Sequence, residues 1–245
     1  MLGAVLLLTQ LFWHRRRAEK PLAGQAAPSI PTLGEMAGLL TMTSLWVVII
    51  FVIMSWTFYT VYDQQMFPDY YTSLFSTREL GQQTYGTLNS AQVFLEAIMM
   101  GVIPLVMRKV GVRTTLLLGV SIMFLRITGT ALLSDPILVS VVKMFHAFGV
   151  LLFVLGIFRY FTLHFRAALS ATLYLVGFNI ASRVGNVILS RPLGALHDSI
   201  GYQPTFLVIA GVVALAAVFA LIFMERDDKQ VLGDPFIPGE PAAKA

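Results

Sequence analysis

The sequence predicts an all-α membrane protein, and three observations predict it. Of the 245 residues, 57% are hydrophobic and only 12% are charged, where a soluble domain carries about 25% charged residues. The apolar residues fall into six runs of roughly 20, the length a helix needs to cross a hydrocarbon core of ~30 Å. Lysine and arginine are sorted to one side of those runs, the pattern that sets orientation in a bilayer. The chain has no cysteine, so neither a disulfide framework nor a cysteine-based metal site is possible.

The six predicted spans are 43–63, 85–106, 114–133, 137–158, 169–190 and 204–224. A seventh apolar stretch, 2–13, reaches only about 18 Å as a helix and reads as the end of a preceding helix. Arg15, Arg16 and Arg17 follow it, the reverse of a secretory signal, whose positive charge comes first. Residues 14–42 hold a stretch rich in Pro, Gly and Ala and read as a linker. Residues 225–245 are polar, contain three prolines and read as a tail. Ser134-Asp135-Pro136 makes the tight turn between the third and fourth spans. Twelve of the 17 lysines and arginines fall on one side and only Arg78 and Arg191 on the other. That bias places both chain ends in the cytoplasm. It also places the net charge of +4 at the membrane surface, so no nucleic-acid partner is expected.

Six ionisable residues fall at membrane depth: Asp63, Glu96, Arg126, Lys143, His146 and Arg183. Each charged one costs about 2.5–3.5 kcal/mol to insert unless it meets a partner or water. Counting rise per residue, Glu96 lies roughly 16 Å and His146 roughly 14 Å below the outer face, and Arg126 roughly 18 Å from the inner one. These three are expected to share a layer near the midplane. Asp63, Lys143 and Arg183 form a second layer nearer the outside. Taken singly, Asp63 could sit in headgroup water, Lys143 and Arg183 could snorkel outward, and His146 could be an ordinary packed histidine. Acids and bases on separate helices favour a shared polar pathway, the arrangement transporters place at the midplane. Enzyme chemistry finds no support: the sequence offers no nucleophile elbow, metal-ligand cluster or phosphate-cradling glycine loop, and no cofactor is expected. His197 and Asp198 are neighbours in a short loop, which is not a catalytic arrangement.

Several motifs, in order, resemble the oligosaccharide:proton symporters of the major facilitator superfamily, the lactose, sucrose, raffinose and melibiose permeases. They are Val61-Tyr62-Asp63-Gln64-Gln65-Met66-Phe67, Tyr85-Gly86-Thr87-Leu88-Asn89-Ser90, Ile122-Met123-Phe124-Leu125-Arg126-Ile127, Val142-Lys143-Met144-Phe145-His146 and His197-Asp198-Ser199-Ile200-Gly201-Tyr202-Gln203. The resemblance covers about 42–224. It implies the six-helix C-terminal repeat of the major facilitator fold plus a partial preceding helix, in a bacterial inner membrane. Leu95-Glu96-Ala97 is similar to the sucrose and raffinose branch, and Gly233-Asp234-Pro235-Phe236 to the raffinose branch.

The resemblance implies residue roles. Asp63 and Lys143 would form an interhelical ion pair. Arg126 and His146 would serve proton coupling, and Glu96 and His146 would bind sugar hydroxyls. A second ion pair of the lactose permease falls on Thr60 and Ser182, both neutral here. The glutamate that the family carries three residues after the histidine is Gly149 here. The function implied is proton symport of an α-galactoside or sucrose-like di- or trisaccharide, by a C-terminal fragment. The alternative is a truncated, inactive or proton-uncoupled half-transporter that needs a separate N-terminal half.

Overall fold

The computed structural model describes residues 41–165 and 167–224, without the side chains of 167–169 and 171. The chain divides into two units, Met1–Thr32 and Leu33–Ala245, and the described residues lie in the second. The expected helix remnant 1–13, nearly all of the linker 14–42 and the tail 225–245 lie outside them.

The described residues form six helices long and apolar enough to cross a membrane. They are α1 (Thr43–Ser73), α2 (Arg78–Val110), α3 (Val112–Leu132) and α4 (Pro136–His164). Then α5 begins as Ala167–Tyr174, passes through a π-helical turn at Leu175–Ile180 and ends as Ala181–Ile200, and α6 is Tyr202–Phe223. No strand occurs among the described residues. This is the all-α membrane fold that composition and periodicity predict.

Four of the six helices, α1, α2, α4 and α5, overrun their predicted C-terminal ends. A hydropathy reading stops at the first charge, whereas a helix in lipid keeps its backbone hydrogen bonds until solvent can replace them. Helices α1 and α5 each run ten residues past their predicted C-terminal ends, α1 from Asp63 on to Ser73, about 15 Å at helical rise. Asp63 therefore lies inside its helix, not at its end. Two π-helical turns, Ile53–Thr57 and Tyr62–Met66, interrupt α1. Wide turns displace backbone carbonyls, and hydroxyls cover some of them. Ser55 donates to the Phe51 carbonyl at 2.5 Å and Thr60 to the Thr57 carbonyl at 3.0 Å.

Short, stereochemically specified turns set the order of packing. Single glycines with φ +84°, Gly111 and Gly201, join α2 to α3 and α5 to α6; a side chain is strained in that left-handed region. Asp135 caps α4, its Oδ1 accepting from the Ile137 and Leu138 amides at 3.0 Å, with Pro136 in the first turn. We expect Asp135→Ala to cost about 1 kcal/mol, measurable as a lower unfolding midpoint of the purified chain; an unchanged midpoint would remove the cap from the account.

Helix α4 is central, packing on α3 and α2, while α6 lies against α3 and against α1. Between α3 and α4 the backbones approach at glycine. A Cβ on Gly119 would meet Phe153 N at 2.9 Å and Gly149 O at 3.1 Å, and one on Gly149 would meet Ile122 Cγ2 at 3.2 Å. Small residues at such seams let membrane helices pack without a hydrophobic driving force. Outward-facing Ile137, Val187, Leu132 and Ile222 are exposed and suit lipid. Helix α2 is the least buried of the six, and its inward polar residues reach α4.

Candidate functional site

The site grows from Arg126, whose side chain is buried in the middle of α3. A cation there needs both counter-charge and a polarisable shell. The rings of Tyr59, Tyr62 and Phe67 supply the shell, with Arg126 Cζ 5.3, 5.2 and 5.0 Å from their centroids. Asp63 supplies the charge: its Oδ1 lies 2.6 Å from Arg126 Nη2. The contact is a close buried ion pair. Arg126 Nη1 donates to the Tyr59 hydroxyl. Tyr62 is pinned by a 2.7 Å hydrogen bond between its hydroxyl and that of Thr130.

His146 on α4 faces this pair. Its Nδ1 lies 2.8 Å from the Tyr59 hydroxyl, 3.0 Å from Arg126 Nη1 and 3.3 Å from Asp63 Oδ1. Its Nε2 lies 3.6 Å from Glu96 Oε1 on α2. The Nδ1 environment is unusual because it holds a donor-only cation and an acceptor-only carboxylate together. A bare Nδ1 can accept from Arg126 and Tyr59, whereas a protonated Nδ1 can donate to Asp63. Which partner is bonded therefore follows from whether that nitrogen carries a proton.

Lys143, also on α4, is buried. Its ammonium donates to Gln92 Oε1 at 2.7 Å and lies 4.9 and 5.3 Å from the Tyr85 and Phe67 ring centroids. Gln92 in turn donates through Nε2 to Glu96 Oε1 at 2.8 Å. Tyr59, Asp63, Gln92, Glu96, Arg126, Lys143 and His146 form one continuous network across α1, α2, α3 and α4.

Two expectations are corrected here. Asp63 and Lys143 do not form a direct ion pair: Asp63 is held by Arg126 and His146, and Lys143 by Gln92. Nor do two charge layers exist. Because α1 runs on past Asp63, that carboxylate sits at the level of Arg126 and His146, and all five charged or ionisable groups share one cluster. Arg183, placed in the outer layer from sequence, is exposed on α5 and makes no hydrogen bond or ion pair among the described residues.

Thr60 and Ser182 are buried and bonded to neutral partners. The Thr60 hydroxyl meets the Asn186 side chain at 3.0 Å, and Ser182 donates to the Asn179 carbonyl at 3.0 Å. Neither leaves an orphaned charge. Tyr59 and Gln92 escaped sequence reasoning because neither is charged. A signal existed, since each stands four residues before an acid, Asp63 or Glu96, and so shares its helix face.

A model of the LacY proton/sugar symporter family matches residues 3–235. The chain belongs to that family. Among its relatives, the sucrose permease of Escherichia coli is 43% identical over 193 residues, which is 79% of this chain and 46% of the relative. The raffinose permease of Escherichia coli is 32% identical over 227 residues, 89% of this chain and 52% of the relative. The lactose permease of Klebsiella oxytoca is 29% identical over 239 residues, 94% of this chain and 56% of the relative. The chain spans about half the length of these curated relatives. They are permeases and not enzymes, and the cluster on α1–α4 is where this member of the LacY family concentrates its membrane-depth charge.

Proposed function

We propose that this chain carries one half of a sugar:proton symporter, its six helices pairing with an N-terminal set of helices to enclose the sugar. The observation that carries this reading is His146, with Nδ1 between Arg126 and Asp63 and Nε2 toward Glu96. One proton moved at Nδ1 exchanges its partner Arg126 on α3 for Asp63 on α1. That links protonation to helix contacts. Glu96 and His146 offer an acceptor and a donor to sugar hydroxyls, and Glu96 is the more exposed of the two. Identity to the sucrose permease supports a sucrose-like disaccharide over an α-galactoside. The lysine and arginine bias supports an inner-membrane location with both ends cytoplasmic.

A second reading is uptake without proton coupling. It is favoured by Gly149, a residue without a carboxylate at the position where the resemblance implies an acid, and one whose Cβ would already meet Ile122 Cγ2 at 3.2 Å.

One experiment separates the two. The chain is co-expressed with the N-terminal six helices of the Escherichia coli sucrose permease, and labelled sucrose uptake is followed with and without a protonophore. Accumulation abolished by the protonophore is the expected result. Equilibration that ignores it supports the uncoupled reading. No uptake and no sucrose binding by the assembled pair refutes both.

A further inference from the structure

The network contains a residue that carries no charge and touches the two ionic groups farthest from Arg126. Gln92 is buried, projects from α2 toward α4, and bridges Lys143 to Glu96 at 2.7 and 2.8 Å. We infer that Gln92 is a positioning residue whose amide holds the Glu96 carboxylate against His146 by tying it to Lys143. The inference rests on the reading that Glu96 and His146 form the sugar site.

The geometry demands an amide. Lys143 has only protons to give, and the Glu96 carboxylate has only lone pairs. A bridge between them must accept at one end and donate at the other. A carboxamide does both in a fixed sense, with oxygen toward Lys143 and nitrogen toward Glu96. A carboxylate would satisfy Lys143 and repel Glu96 one helical turn away. A hydrocarbon of the same length would satisfy neither. Asp63 is already engaged by Arg126 and His146, so Lys143 without Gln92 keeps only the rings of Phe67 and Tyr85. Glu96 without Gln92 keeps only the 3.6 Å contact with His146 and is free to turn outward. The amide also closes the path from Lys143 through Glu96 and His146 to Asp63 and Arg126.

The test compares Gln92→Met, which removes both hydrogen bonds, with Gln92→Glu, which keeps only the one from Lys143. In the purified full chain in lipid nanodiscs, the infrared carboxylate band of Glu96 is located by subtracting the spectrum of Glu96→Gln. Both substitutions are expected to move that band, while Gln92→Glu keeps the thermal midpoint within a few degrees of wild type because Lys143 stays satisfied. In the chain assembled with the sucrose permease helices, both are expected to raise the sucrose KM about ten-fold, the scale of one lost hydrogen bond to a charged group, with Vmax changed much less.

A Glu96 band that stays in place in Gln92→Glu overturns the inference, whatever transport does. So does a moved band with an unchanged KM in an assembly that transports, or a transport loss that only follows the amount of folded protein. If the band moves but the wild-type assembly transports no sucrose, the hydrogen-bonded bridge stands and the functional reading above fails instead.

Discussion

Arg126→Met is expected to destabilise the chain by about 3 kcal/mol, because it strips Asp63 of its cation where the carboxylate is only 13% exposed. Breaking a buried pair from one side costs about 3–5 kcal/mol, and the lower figure applies because His146 remains 3.3 Å from Asp63. The substitution also empties the space between Tyr59, Tyr62 and Phe67, whose rings face the guanidinium. The check is a double-mutant cycle on the unfolding midpoint of the purified chain. Asp63→Asn combined with Arg126→Met should recover much of the loss, since removing both charges strands neither. A double variant no better than the single one would show that the ion pair is not what Arg126 contributes.

The second large effect is expected at the α3–α4 seam. Gly119→Leu places its Cβ against backbone, Phe153 N and Gly149 O, neither of which can rotate away. Gly149→Glu meets Ile122 and Met123 and adds a charge to the packed seam. Overpacking a filled interior costs about 1–3 kcal/mol, and here the displaced element is a whole helix that positions both Lys143 and His146. Both variants are expected to lose most of the monodisperse protein recovered by size-exclusion chromatography. Gly86→Ala and Gly194→Ala, where a Cβ meets nothing within 4 Å, serve as controls and should be recovered like wild type. Normal recovery of Gly119→Leu would mean the seam is looser than its distances imply.

How far the sequence could be read depended on which physical signal each feature leaves. Six long apolar runs are unmistakable, since lipid admits few alternatives to a helix. The grouping of Glu96, Arg126 and His146 was also legible, because depth follows from counting residues along straight helices. The depth of Asp63 was not, for the same reason: hydropathy falls at its position while the helix itself continues through the polar stretch to Ser73. The partner choice between Lys143 and Arg126 was not legible at all. It depends on rotation of α1 about its axis, and the two π-helical turns change that rotation with no mark in composition. Gln92 leaves no such mark, because a neutral amide in a helix is ordinary until its neighbours, Lys143 and Glu96, are known.

The cluster holds two acids, Asp63 and Glu96, and two bases, Arg126 and Lys143, so with all four ionised their formal charges cancel around His146. A single added proton then gives the whole group one net positive charge. The voltage across a membrane does work on a net charge and none on a balanced group, about 2.3 kcal/mol per elementary charge for each 100 mV traversed. An electric field would thus act on the protonated form of this site and ignore the other, with no dedicated sensor needed.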